Sequence, residues 1–415
     1  MKVSVRVFSF LREALSVPTN ERGEAELELP TGATLKDLFL ALGIDRQVKE
    51  DLFSGTVQRV FQVMIDGQVI NDFAHELQEG QQVILFAPMS GGTQEMLKMG
   101  KFCRTFSEIC RDDVPEAGGK GANLGDMTCA GLPVPPGFVI LSSAYRRIFE
   151  RGGLREQVRH ILNSIDRSNA HALQEAETTI RALFERVVID EELKREILDH
   201  YRQLGSEVAV AVRSSATAED MGCASFAGQQ STYLNVRGEQ ALLDNVIKCW
   251  SSLFTSQAIY YRFCNGFDDD LVSMAVVVQK MVNAEKAGVI FTVDPILKNP
   301  YQMIIEGVYG LGEGIVSGTI TPDHYKIDRE TCEVRYQFIA PKSIRIVSDG
   351  LNGIIEEEVP TELKNQPVLN EAELRALVEM GNLVEKHFGC PQDIEWGAER
   401  TTFYLLQSRP ITTLG

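Results

Sequence analysis

Apolar and polar positions alternate from the start of the chain. Val3, Val5 and Val7 are separated by polar residues, the period of a strand with one buried face. Ala25, Leu27 and Leu29 alternate with Glu24, Glu26 and Glu28, and predict its hairpin partner. The period then changes. Leu35, Leu38, Phe39 and Leu42 share one helical face, with Thr34 placed as its cap and Asp37 near its positive end. Val60 to Ile65, the Asp66-Gly67 turn and Val83 to Phe86 return to strand signals. The order strand, strand, helix, strand, strand is a β-grasp pattern.

Further along, helical spacing dominates before strands resume. Leu173, Ala176, Ile180 and Leu183 form one stripe, Leu193, Ile197 and Leu198 another after Asp190, and Leu242, Leu243, Val246, Ile247 and Trp250 a third. These are read as core spacing. Short apolar runs at Val208–Val212, Met274–Gln279, Ala287–Thr292 and Met303–Ile305 predict strands. The acidic-apolar alternation around Glu395 predicts a strand with one wet face, and Thr402 to Arg409 predicts its hairpin partner.

Composition narrows the classes. A chain of 415 residues suggests two to four domains. The net charge of -17 argues against a general nucleic-acid or anionic-membrane surface. Eight cysteines without a C-x-x-C pair fit free thiols in a reducing compartment. No secretory leader or long apolar run is seen, so a cytoplasmic protein with no nucleic-acid or membrane partner is expected.

Several segments carry candidate chemistry. Gly118-Gly119-Lys120-Gly121 permits tight turns near a ligand and places a lysine that reaches phosphate, although G-x-x-x-x-G-K-[ST] is absent. Taken alone, such a stretch is more often a plain turn. Arg213-Ser214-Ser215-Ala216-Thr217 sets an arginine and hydroxyls after a strand, a set that can surround an anion. Ala227-Gly228-Gln229 supplies a small turn able to approach phosphate groups. Glu306 is expected at the end of its strand, before the glycine-rich run Gly310 to Gly318. Glu395, Gln407 and Arg409 bring a carboxylate, an amide and a guanidinium to the rim of a sheet. The first two suit Mg²⁺ and the third clamps phosphate.

Two family resemblances follow. Residues 1–92, ending Phe86-Ala87-Pro88-Met89-Ser90-Gly91-Gly92, resemble the small sulfur carriers of molybdopterin and thiamine synthesis. That chemistry requires a free carboxylate at the last glycine, and here Thr93 follows. The resemblance therefore implies a docking or regulatory module, or a carrier if the chain is cut after Gly92. Residues from about 108 to 413 resemble the nucleotide-binding domain of phosphoenolpyruvate synthase and pyruvate phosphate dikinase. The matching pieces stand in family order: Gly119 to Gly121, Val210 to Thr217, Gln279 to Val282, Gly288 to Pro295, Glu306 to Gly318, Asp393 to Trp396 and Gln407 to Pro410.

These resemblances imply an α+β multidomain chain. Residues 1–92 form a β-grasp domain, 93–110 a connector, and 111–415 a two-lobed ATP-grasp-like domain that binds MgATP. Lys120 and Arg213 are expected on the phosphates, with Ser214 beside them. Gln279, Lys280 and Val282 flank the adenine, and Glu306 faces the ribose or a nearby polar network. Glu395 and Gln407 hold Mg²⁺, and Arg409 stabilises charge on the transferred group. In the resembling family the phosphoryl acceptor is a histidine on a swivelling domain. His75, His160, His171, His200, His324 and His387 lack that carrier context, and the chain ends at Gly415 soon after Arg409. A separate phosphohistidine and acceptor-binding subunit is expected. The β-grasp module adds a pterin-cofactor or metalloenzyme partner as a second connection. An ATP-sensing scaffold is the alternative reading.

Overall fold

The strand periods of the first hundred residues close into one mixed sheet. The computed structural model describes residues 1–7, 24–30, 32–42, 62–65, 68–70, 75–86, 101–205, 207–217, 231–265 and 272–411. They fall into two units, Met1–Met99 and Gly100–Gly415. The first holds β1 (Lys2–Val7), β2 (Glu24–Glu28), α1 (Leu35–Leu42), β3 (Gln62–Ile65), β4 (Gln68–Ile70) and β5 (Gln82–Phe86). Sheet order is β2-β1-β5-β3-β4, with β1 and β5 parallel and the other pairs antiparallel, which is the β-grasp arrangement. Val3, Val5, Leu35, Leu38, Leu42 and Val83 are buried, so the alternating strand face and the helical stripe meet in one core. Asp37 accepts from both the backbone N–H and the hydroxyl of Thr34, each at 2.8 Å, and closes the start of α1. Gly67, Gly91 and Gly92 lie outside the described residues.

The second unit is built on two large sheets. Its helices are α2 (Val114–Cys129), α3 (Ser142–Glu150), α4 (Leu154–Ser164), α5 (Ala170–Phe184), α6 (Glu191–Leu204), α7 (Glu239–Ser251), α8 (Ser256–Asn265), α9 (Glu313–Val316) and α10 (Glu371–Phe388). The first sheet contains β6 (Cys103–Thr105), β7 (Gly137–Ile140), β8 (Val210–Ala216), β9 (Thr232–Val236) and β10 (Met274–Lys280), ordered β6-β7-β10-β8-β9 and antiparallel throughout. Because β6 is one of its strands, residues 101–110 belong to this unit and are not purely a connector. The second sheet begins with β11 (Lys286–Phe291), β12 (Gln302–Tyr309), β13 (Asp323–Asp328) and β14 (Val334–Phe338). A separate hairpin, β15 (Ile344–Ser348) and β16 (Ile354–Glu358), follows. β17 (Gln392–Glu399) and β18 (Thr402–Pro410) complete the order β14-β13-β12-β11-β17-β18, again antiparallel.

Alternation sorts the first sheet's side chains between two cores. Val210, Val212, Val276 and Val278 pack with α5, α6 and α7, whose stripes include Leu173, Ile180, Phe184, Leu193, Ile197 and Trp250. Phe184, not Leu183, is the buried residue at the end of α5. On the opposite face, Val139, Ala275 and Val277 join Leu124 and Met127 of α2 in a second core. That core also takes Ile290, Ile305, Ile394 and Trp396 of the second sheet and Leu377 and Val384 of α10. Each such fully buried side chain contributes about 1.5–3 kcal/mol. The helix α2 thus packs into the core that both sheets share.

Two polar features fix the layout further. Asp323 is fully buried and accepts from Lys342 Nζ and from the backbone N–H groups of Ala340 and Val368, which satisfies the charge where water is absent. Asn235, at φ 58°, is also buried and donates to Asp349 Oδ1 at 3.2 Å and to the Gly353 carbonyl at 2.8 Å. The Asn352 side-chain oxygen accepts from Arg237 N at 2.6 Å. The tip of the β15–β16 hairpin is thereby tied to the end of β9. Among the described residues, no helix is long and apolar enough to cross a membrane.

Candidate nucleotide and metal site

The first glycine block lies within α2 rather than in an open turn. Gly118 breaks α2 at φ 67°, ψ 168°, a conformation open essentially to glycine alone. A Cβ there would lie 2.3 Å from Ser215 Oγ and 2.4 Å from the Ser215 carbonyl oxygen. Gly121 and Gly125 face Val139 and Ile109 in the same way. The glycines therefore let α2 lie directly on the sheet. Ser215 clasps the break: its hydroxyl donates to the Ala117 carbonyl at 2.9 Å and accepts from Gly121 N at 3.2 Å. One result is the placement of Lys120, whose Nζ donates to the Ser214 carbonyl at 3.2 Å.

Sequence reading ended β8 before Arg213, but the ladder runs on to Ala216, which pairs with Met274. Alternation then separates neighbours. Arg213 pairs with Val277 and shares its face, with Gln279 two residues further along β10. Ser214 pairs with Val276 on the opposite face, and its hydroxyl donates to the Ser231 carbonyl at 3.2 Å. Its hydroxyl is thus not grouped with Arg213, and its carbonyl is what meets Lys120. Ala227, Gly228 and Gln229 lie outside the described residues.

The second sheet assembles its candidates along one rung. His324, Glu306, Val289, Glu395 and Gln407 stand directly opposite one another on β13, β12, β11, β17 and β18. Glu306 is mid-strand rather than at a strand end, and its carboxylate lies 3.0 Å from His324 Nδ1. Glu395 and Gln407 are cross-strand neighbours. Leu406 is an extra residue in β18, since Glu395 pairs with Gln407 while Trp396 pairs with Leu405. Arg213 reaches across from the first sheet. Its Nη1 lies 3.4 Å from both Glu395 Oε2 and the Leu406 carbonyl. The two sheets meet there.

Next to this rung, Asp393 pairs with Arg409, and Asp393 Oδ2 accepts from Arg409 Nε and Nη2 at 2.8 Å each. Burial pushes the Asp393 carboxyl above its ordinary range against the pull of Arg409, and Glu395 and Glu306 push it further. Glu313, on α9 within the second glycine run, is also raised by burial. Arg213 opposes that shift and Glu395 adds to it. Neither Asp393 nor Glu313 was singled out from sequence. Asp393 was legible in principle, because it stands two residues from Glu395 and shares its face. Glu313 borders a cavity of about 450 Å³ together with Thr232, Tyr233, Lys248 and Gly353.

The adenine candidates follow β10. Gln279 is buried, and its Nε2 has no hydrogen-bond partner among the described residues. Lys280 ends the strand exposed, with its N–H bonded to the Pro136 carbonyl, while Val282 is buried. Arg213 Nε is likewise buried without a partner. Buried donors lacking acceptors fit a ligand rich in acceptors, such as a nucleotide. A carboxylate and an amide facing each other at a sheet edge fit a hard cation. Among the described residues there is no group of three or more His, Cys, Asp or Glu able to hold a metal.

Comparison with known proteins identifies the family. Residues 114–415 match the family described as pyruvate phosphate dikinase, AMP/ATP-binding domain. The chain belongs to that family. Residues 5–92 match the ThiS family. A probable phosphoenolpyruvate synthase of Methanocaldococcus jannaschii is 48% identical over 319 residues, covering 76% of this chain and 27% of the relative. One from Methanothermobacter thermautotrophicus is 46% identical, covering 77% and 47% respectively. A rifampicin phosphotransferase of Bacillus cereus is 39% identical, covering 76% and 36%. The chain thus spans between about a quarter and a half of the length of these relatives. It is a mixed α/β multidomain protein carrying an ATP/AMP-binding domain of a phosphotransfer family.

Proposed function

We propose that this chain uses MgATP to phosphorylate a histidine on a partner, releasing AMP and phosphate. The reading rests on one observation above all: Arg213 of the first sheet meets the Glu395–Gln407 edge of the second, so cationic and metal-binding groups converge. The two sheets then act as lobes of an ATP-grasp-like site. Gln279, Lys280 and Val282 border the adenine, and Glu306 faces the ribose side. Lys120 and Arg213 bind the phosphates, and Arg409 offsets charge on the group being transferred. Ser214 contributes through its backbone.

Glu395 and Gln407 would hold Mg²⁺ through oxygen atoms. When bound, the cation neutralises the polyphosphate and favours its in-line geometry. Overall, ATP, water and an acceptor give AMP, phosphate and a phosphorylated acceptor. The acceptor histidine comes from a phosphohistidine-domain partner, since His324, the histidine on the candidate rung, is already engaged with Glu306. Residues 1–92 and 111–415 work as separable modules. The first docks a pterin-cofactor or metalloenzyme partner, or carries sulfur after cleavage at Gly92.

The test is capture of the chain with its native partner from cytoplasmic extract, followed by labelled ATP. Acid-labile phosphohistidine on the partner, with AMP formed alongside, is the expected result. Phosphohistidine on this chain would overturn the need for a partner. ATP that alters complex affinity without yielding AMP would replace the enzyme by an ATP-sensing scaffold.

A further inference from the structure

We propose that Asp393 is a positioning residue, holding the Arg409 guanidinium for the terminal phosphates of ATP; this rests on the nucleotide reading above. Asp393 and Arg409 occupy directly opposed positions on β17 and β18. A single carboxylate oxygen takes both Nε and Nη2 of the arginine at 2.8 Å. Two donors on one edge of a planar group fix its plane as well as its place.

The asymmetry of the pair points to this role. The Asp393 side chain is 13% exposed and that of Arg409 57%. A wholly exposed ion pair of this kind contributes little to stability. Here one member is instead largely buried, two residues along β17 from Glu395 and on the same face of the sheet. Stability alone gives little reason to set an acid among acids. An arginine that must face a polyanion without swinging into the Glu395 edge gives a direct one. Asp393 holds the Nε edge of the guanidinium at the exposed end of β18.

Calorimetry on the full chain, with MgATP and AMP as separate probes, tests the assignment. Four proteins are compared: wild type, Asp393→Asn, Arg409→Ala and the double variant. Asp393→Asn should weaken MgATP binding about tenfold, the scale of a lost charged hydrogen bond, and leave AMP within about twofold. The double variant should bind MgATP no more weakly than Arg409→Ala alone, because Asp393 acts only through that arginine. Equal weakening of both nucleotides would mark a structural role and overturn the assignment. Unchanged or tighter MgATP binding by Asp393→Asn would overturn it as well, as would losses that multiply in the double variant. A wild type that binds neither nucleotide removes the nucleotide reading and this role with it. Wild-type binding with an unaltered Asp393→Asn removes this role alone.

Discussion

The closeness of α2 to the first sheet can be measured by adding one carbon. Gly118→Ala introduces two separable penalties. The first is conformational: at φ 67°, ψ 168° a Cβ is strongly disfavoured, by about 1–3 kcal/mol. The second is steric. The new atom would lie 2.4 Å from a backbone oxygen of Ser215, which is held in the β8–β10 ladder and has little freedom to yield. Overpacking of this kind costs about 1–3 kcal/mol more. The total is about 4 kcal/mol. Gly131 provides the control, because it too has positive φ, 73°, yet its added Cβ meets nothing within 4 Å. Gly131→Ala should lose about 1–2 kcal/mol. At about 2 °C per kcal/mol for a unit of this size, calorimetry should show a Tm drop of about 8 °C against about 3 °C. Gly118→Ala should also weaken MgATP binding, because Lys120 stands two residues further along the displaced helix. Equal Tm losses in the two variants would show that the helix does not lie on β8 as described.

Other expectations are more local. Glu395→Gln replaces an anionic oxygen ligand by a neutral amide, so the Mg²⁺ concentration needed for half-maximal ATP binding should rise about tenfold or more, read by titrating Mg²⁺ at fixed ATP. Asp328 accepts from the Thr331 backbone, from Arg335 and from the Glu330 backbone, and these lower its carboxyl to about 2. A folded value below the unfolded one adds stability that is present above about pH 4 and lost as pH falls through about 2. Asp328→Asn should flatten that part of an acid-unfolding curve, and an unchanged curve would discount these bonds.

Much of the fold could be read from periodicity because each element buries a single face. The β1–β2 hairpin, the α5 and α6 stripes and the terminal hairpin all follow the alternation of their side chains. Glu395 opposite Gln407 was legible for the same reason. Other features depend on partners far along the chain. A run of glycines has poor helix propensity, yet α2 runs through it apart from the break at Gly118, and it packs where Ser215 and Val139 leave room for little more than glycine. The strand β8 continues past Arg213 because β10 offers it a ladder, and this sends the Ser214 hydroxyl to the other face. Glu306 sits mid-strand because β11 carries the pairing on to Tyr309, beyond the apolar run. Glu313 comes near Arg213 and Glu395 only because the chain after β12 folds back into α9.

Leu406 shows how the demands of the sheet and of the site diverge. Pairing between β17 and β18 would be more regular without it, since Glu395–Gln407 and Trp396–Leu405 would become successive rungs. The extra residue adds no ladder partner, but its carbonyl faces Arg213 at 3.4 Å. A strand shortened by this one residue would pair evenly with β17 and would lose that contact between the two sheets.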